Sequence, residues 1–170
     1  MESYFSGKWS DSSLDVYRWS GWSLVERINS MNPDGVLDVG CGFNRFKGEI
    51  NGLWGIDPYN DAADEKVSIE EYDGPQVDVV MALGSINFGD EDTIDHQMEI
   101  LDSIWRKKAF FRVNPGIEHS WNSDWEGVVW YPWSREKILS IAEKYKYKVD
   151  RFETELTVQD HKRYYFELSK

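Results

Sequence analysis

The stretch Val36-Leu37-Asp38-Val39-Gly40-Cys41-Gly42 decides how this chain is read. A short apolar run, opened by Gly35 and closed by glycine, is the mark of a buried strand that enters a tight turn. The strand delivers one acid, Asp38, and the turn holds two glycines, Gly40 and Gly42, whose missing side chains let a ligand approach the backbone closely. Fifteen residues past Gly42, Asp57 ends a second short strand, Leu53-Trp54-Gly55-Ile56-Asp57, which Pro58 closes. A carboxylate at that place accepts hydrogen bonds from both hydroxyls of a ribose. The two features together point to an adenosine-type ligand. A nicotinamide dinucleotide is the chemical rival, but its Gly-x-Gly-x-x-Gly fingerprint needs glycine at position 45, where this chain carries Arg45.

Outward from this centre, strands and helices alternate. Upstream, residues 11–31 carry Leu14, Tyr17, Val25 and Ile28 at a rough helical period, with Asp11 or Ser12 to cap a helix and Asn32-Pro33-Asp34-Gly35 to end it. Downstream, residues 66–69 read as a weak third strand and residues 77–83 as a strong fourth. Residues 92–106 follow as a helix with Ile94, Met98, Leu101 and Trp105 along one face. Residues 109–113 form a fifth strand, stopped by Asn114-Pro115-Gly116. Ser134 then caps a helix that runs to about Lys144, and the β-rich runs 148–158 and 163–168 close the chain as an antiparallel pair. Alternating strands and helices imply a mainly parallel, doubly wound sheet. With no internal repeat and no linker rich in Gly, Ser or Pro, residues 1–170 read as one domain.

The sequence resembles the class I S-adenosylmethionine (SAM)-dependent methyltransferases. Their first motif has the form Val-Leu-Asp-Val-Gly-Cys-Gly, and their second strand ends in an acid, as Gly55-Ile56-Asp57 does here. The run from Val77 to Gly84 looks like their fourth strand, so the likeness covers roughly residues 36–113. The resemblance implies an α/β fold with a seven-stranded sheet ending in the antiparallel hairpin, and SAM as cofactor with S-adenosylhomocysteine as product. It further implies that Gly40, Cys41 and Gly42 face the methionine part, with Asp38 ordering the turn or reaching the amino group through water. Asp57, followed by Pro58, would hold the ribose, Ile69 and Glu70 would lie near adenine, and Leu83, Gly84 and Ser85 would form the floor beneath the sulfonium. The chain departs from the family at Asn44, where a third glycine is common. Residues 42–53 and 58–66 also leave room only for shortened helices after the first and second strands.

Methyl transfer is an in-line displacement at an already activated sulfonium, so no universal catalytic residue is needed. Substrate candidates therefore follow from position: Asn87 after the fourth strand, and Trp121 and Tyr131 within the aromatic loop 118–133. His119 in that loop is the candidate general base, against the reading of an exposed loop histidine. Cys41 sits where the turn needs a small side chain, which explains it without nucleophilic chemistry.

The chain has 19 Lys and Arg against 31 Asp and Glu, a formal net charge of -12, which disfavours a nucleic-acid substrate. The Asn- or Asp-Pro-Pro-aromatic motif of amino-methylating DNA enzymes is replaced by Gly84-Ser85-Ile86-Asn87-Phe88. With one cysteine and three dispersed histidines, no metal site is expected. No run of eighteen apolar residues and no signal-peptide layout is present, so a cytoplasmic protein without membrane contact is expected. The expected function is methyl transfer to a small molecule or a protein side chain. The alternative is a non-catalytic SAM- or S-adenosylhomocysteine-binding or interaction module, whose nine Trp would mark an interface.

Overall fold

Residues 21–116, 128–156 and 162–170 are described in the computed structural model of the chain. Six strands form one mixed sheet: β1 (Val36–Val39), β2 (Leu53–Ile56), β3 (Val77–Leu83), β4 (Trp105–Val113), β5 (Lys148–Leu156) and β6 (Lys162–Ser169). Their order across the sheet is β2-β1-β3-β4-β6-β5. The first four run parallel, and β6 inserts antiparallel between β4 and β5. The order reverses between β1 and β3, and a ligand crevice opens at such a point beyond the carboxyl ends of the strands.

Among the described residues three helices cover the sheet: α1 (Leu24–Ser30), α2 (Glu91–Ile104) and α3 (Arg135–Tyr145). The side-chain oxygens of Asp90 and Ser134 accept the amides of Thr93 and Lys137, so α2 and α3 each begin on a capping residue. Ile94, Met98 and Leu101 of α2 and Ile138 and Ile141 of α3 pack on Leu37, Val80, Ala82, Phe111 and Phe166. On the opposite face Leu24 and Ile28 of α1, with Phe46 and Ile50, cover Val36, Val79, Met81 and Phe110. The all-buried pattern of β1 follows from this double cover.

Four sequence expectations are corrected. The described residues form six strands rather than seven, because residues 66–69 do not pair as a strand. One bridge, Glu65 to Ile56, precedes the segment, after which the Ser68 amide donates to the Glu71 side chain and the chain turns. A serine amide taken up by a glutamate three residues on belongs to a turn and is lost to a ladder. Second, the helices expected in shortened form after β1 and β2 are absent altogether. Residues 42–52 hold only turns, with positive φ at Gly42, Asn44, Gly48 and Gly52, a backbone that a right-handed helix cannot use. Third, the helix expected over 92–106 spans 91–104. Trp105 leaves the helix with extended dihedrals and pairs with Val77 as the first residue of β4, which therefore starts four residues before the expected Ala109. Fourth, within the helix expected over 11–31, α1 occupies only Leu24–Ser30; residues 11–20 lie outside the described residues. No helix among the described residues is long and apolar enough to cross a membrane.

Candidate functional site

Where β1 and β2 end, their backbones are tied together by the glycine turn. The amides of Gly40 and Cys41 both donate to the Ile56 carbonyl, at 2.8 and 3.0 Å, and the Gly42 amide donates to Asp57 Oδ2 at 3.0 Å. The second oxygen of Asp57 accepts the amides of Tyr59 and Asn60, at 2.9 and 3.0 Å. Asp57 thus fixes both the turn after β1 and its own loop.

The two glycines serve different purposes. Gly40 has φ +69°, and a Cβ there would stand 2.3 Å from Ser85 Cβ, so the turn after β1 and the loop after β3 touch through it. Gly42 has φ +53° with nothing within 4 Å of a Cβ, so its missing side chain leaves open space. Gly40→Ala is therefore expected to cost about 3 kcal/mol, strain and overlap combined, against about 1–2 kcal/mol of strain alone for Gly42→Ala. Chemical denaturation of the two variants checks this, and equal losses would refute the packing role of Gly40.

Asn44 ties the loops after β1 and β2 together. Its φ of +51° lies in the left-handed region that asparagine tolerates. Its Nδ2 donates to the Ala62 carbonyl and to Asp64 Oδ2, both at 3.1 Å. Asp64 in turn accepts the Gly55 amide at 2.8 Å and pairs with Lys47 at 2.8 Å. A polar clasp thus joins the loops after β1 and β2. Gly55 leaves it room, since a Cβ there would lie 2.5 Å from Asn44 Oδ1.

Between these loops, the segment after residue 67 and the start of α2 lies a cleft of about 310 Å3, within the size range of small-molecule sites. Gly40, Gly42, Phe43, Asp57, Pro58, Tyr59, Ser68, Ile69, Glu70, Gly84, Ser85, Ile86, Phe88, Thr93 and Gln97 are among its lining residues. Within that lining Gly40 meets Ser85, the Gly42 amide donates to Asp57, and Gln97 donates to Glu70. Its charged lining residues are Asp57 and Glu70, and no Lys, Arg or His lines it among the described residues. Such a wall suits a cationic ligand and opposes a pyrophosphate.

Of the residues expected at the cofactor, Gly40, Gly42, Asp57, Pro58, Ile69, Glu70, Gly84 and Ser85 line this cleft. Asp38, Cys41 and Leu83 stand behind its wall. Asp38 is buried, and burial, followed by the neighbouring charge of Asp57, pushes its carboxyl up to about 7. Cys41 is packed beside Gly55, and burial pushes its thiol up, which opposes nucleophilic reactivity. Leu83 faces Gly21.

The expected substrate residues are placed differently. Asn87 is buried, donates to the Gly84 carbonyl at 2.9 Å and accepts the Asn114 amide at 2.8 Å. It holds the loop after β3 in shape and is not on the cleft wall. Tyr131 is also buried, with its hydroxyl on Glu91. Its amide donates to the Asn87 carbonyl, and the Gly89 amide donates to the Val129 carbonyl, each at 2.8 Å. The segment 128–133 therefore braces the cleft floor from behind, and Trp133 Nε1 adds a bond to the Ile86 carbonyl at 2.8 Å. His119 and Trp121 lie outside the described residues.

Phe43, Tyr59, Ile86, Phe88, Thr93 and Gln97 line the cleft without having been picked from sequence. The hydroxyl of Thr93 is spent on the Asp90 cap, and Phe88 packs on Trp130 with ring centroids 4.6 Å apart. Ile86 had a legible signal, standing three residues past the carboxyl end of a strong strand. Thr93 and Gln97 had none, because a helix face turned to a ligand carries the same polar residues as one turned to water.

No family profile and no curated protein sequence matches this chain. Solved structures do. Magnesium protoporphyrin IX methyltransferase from Synechocystis PCC 6803, with bound S-adenosylhomocysteine, is similar over 99% of this chain and 97% of its own, at 12% identity and a TM-score of 0.74. The 1,6-didemethyltoxoflavin-N1-methyltransferase of Burkholderia thailandensis, with its substrate and S-adenosylhomocysteine bound, is similar over 99% of this chain and 86% of its own, at 12% identity and a TM-score of 0.70. An S-adenosylmethionine-dependent methyltransferase from Mesorhizobium loti is similar over 91% of this chain and 100% of its own, at 13% identity and a TM-score of 0.61. The chain has the class I SAM-dependent methyltransferase fold.

Proposed function

We propose that this protein is a SAM-dependent methyltransferase acting on a small molecule or a protein side chain, with SAM as its cofactor. One observation carries the reading: the glycine turn, Asp57 and the loop after β3 meet around a single cleft whose charged lining residues are both acids. The cleft end at Gly40 and Gly42 takes the methionine part, with the open space at Gly42 admitting it against the backbone. Asp57 accepts a ribose hydroxyl with the lone pair that the amides of Gly42, Tyr59 and Asn60 leave free. Bound SAM would supply a methyl group that the acceptor takes in line as the S–CH3 bond breaks, with S-adenosylhomocysteine as the leaving thioether. The protein's own part is to orient and to exclude water, for which Phe43 and Phe88 provide apolar walls.

Asp38 makes the binding pH-dependent. A buried acid with a raised pKa opposes folding once the pH passes its ordinary value of 3.8, fully so above about 7. A cationic ligand beside it favours the carboxylate, so ligand binding releases the proton. Calorimetric titration with SAM and S-adenosylhomocysteine is expected to give affinities that rise about tenfold from pH 6 to pH 8 and then level off, with no binding of NAD. Saturable NAD binding, or no binding of either adenosyl ligand, would overturn the assignment.

A further inference from the structure

The two edges of the sheet are finished differently. On β2 the chain takes up the outward groups itself. The Leu53 amide donates to the Ile50 carbonyl, Lys47 Nζ donates to the Leu53 carbonyl, and the Gly55 amide donates to Asp64 Oδ2. The Asp64 amide donates back to the Gly55 carbonyl at 2.9 Å, and the Asp57 amide donates to the Glu65 carbonyl at 3.2 Å. On β5, the opposite edge, β6 is the one strand alongside, and no backbone group among the described residues bonds the outer side. Nine residues, Lys148–Leu156, thus present an open ladder.

Asp150 is an extra residue in that ladder, since Lys148 lies opposite Ser169, Val149 opposite Leu168 and Arg151 opposite Glu167. Ser169 and Glu167 are two apart on β6 and share a face. The bulge therefore puts Lys148 on one face with Arg151, Glu153 and Glu155. Arg151 is already ordered there, with Nε and Nη2 donating to the two carboxylate oxygens of Glu153 at 2.8 and 2.9 Å. Phe152 stands on the other face, beside the Arg135 guanidinium.

We infer that β5 pairs antiparallel with β5 of a second copy of this chain, about a two-fold axis at Phe152. Residues opposite each other in a ladder share a face, so such an axis passes through a residue. At Phe152 it sets Arg151 opposite Glu153 of the second copy, twice, and across the bulge it sets Lys148 opposite Glu155. Phe152 meets its own copy. Every other axis from Arg151 to Glu155 brings like charges together: Arg151 on itself, Glu153 on itself, Glu153 on Glu155, or Glu155 on itself. Like charges directly opposite destabilise a strand pair, so an edge that repels its other registers accepts this one. The interface is one strand wide, and a weak, micromolar dimer is expected.

Sedimentation velocity on the full chain is expected to show monomer passing to dimer as concentration rises, with the β5 amides exchanging more slowly in the dimer. Arg151→Glu and Glu153→Arg each place like charges across the seam and are each expected to weaken self-association about tenfold or more. An equimolar mixture of the two variants brings opposite charges together again and is expected to regain the parent's dimer level. Neither variant recovers its own Arg151–Glu153 pair in the mixture, so the recovery reports contact between copies. Thermal unfolding of each variant shows that the sheet is intact. A parent that stays monomeric, variants that dimerise as the parent does, or a mixture that does not recover would overturn the proposal. So would β5 amide exchange in the parent that is the same in dilute and concentrated protein, a measurement that needs no variant.

Discussion

Asp57→Ala is expected to weaken S-adenosylhomocysteine binding by about hundredfold or more. A hydrogen bond from a ribose hydroxyl to a carboxylate is worth about 1.5–3 kcal/mol, and it is lost. The substitution also releases the amides of Gly42, Tyr59 and Asn60, so the loops on either side of the cleft lose their common anchor. Asp57→Asn separates the two effects. Its amide oxygen can accept from one side only, so affinity is expected to fall between those of the parent and the alanine variant. Calorimetric titration measures all three, with thermal unfolding alongside to show that the sheet is intact. An alanine variant that binds as the parent does would remove Asp57 from the site.

Glu167→Ala is expected to be the most destabilising substitution on the sheet, costing about 3 kcal/mol and lowering Tm by roughly 6–12 °C. Glu167 is buried on β6, on the face opposite α2 and α3. It accepts from Arg27 of α1 at 2.9 Å and from the Tyr165 hydroxyl at 2.7 Å, and pairs with Lys108 of β4 at 3.1 Å. Burial pushes its carboxyl up, but the bonds from Arg27, Tyr165 and Lys108 outweigh it and hold the group at about 2. Its contribution is therefore fully present above its ordinary value of 4.5 and is lost as the pH falls toward 2. Parent and variant should differ most above pH 5 and converge near pH 2 in denaturant-induced unfolding. A difference that persists unchanged at pH 2 would mean that Glu167 acts through packing rather than charge.

The centre of the fold was legible because its signals are local. An apolar run into Gly40 and Gly42, an acid closing the next strand, and the capping residue Ser134 each act over a few neighbouring residues, and the structure has strands and a helix there. Six of the expected cofactor residues that line the cleft, Gly40, Gly42, Asp57, Pro58, Gly84 and Ser85, follow β1, β2 or β3, and the end of a parallel strand is where this architecture opens. Ile69 and Glu70 reach it from a turn instead. Asn87 follows a strand too, yet its short polar side chain is consumed by Gly84 and Asn114. Nothing in the sequence distinguishes an asparagine that meets a ligand from one that closes a loop on itself.

The sequence by itself determined the strands β1, β2 and β3, the glycine turn and the paired acids Asp38 and Asp57, since each depends on backbone preference and hydrophobic period along the chain. Only the tertiary structure decided that residues 66–69 turn instead of pairing, that the clasp of Asn44, Asp64 and Lys47 takes the place of a helix, and that Gln97 faces the cleft. Those outcomes depend on which polar group arrives opposite another from 3 to 27 positions away, and a hydrogen bond is settled by distance and angle in space, which spacing along a chain does not encode.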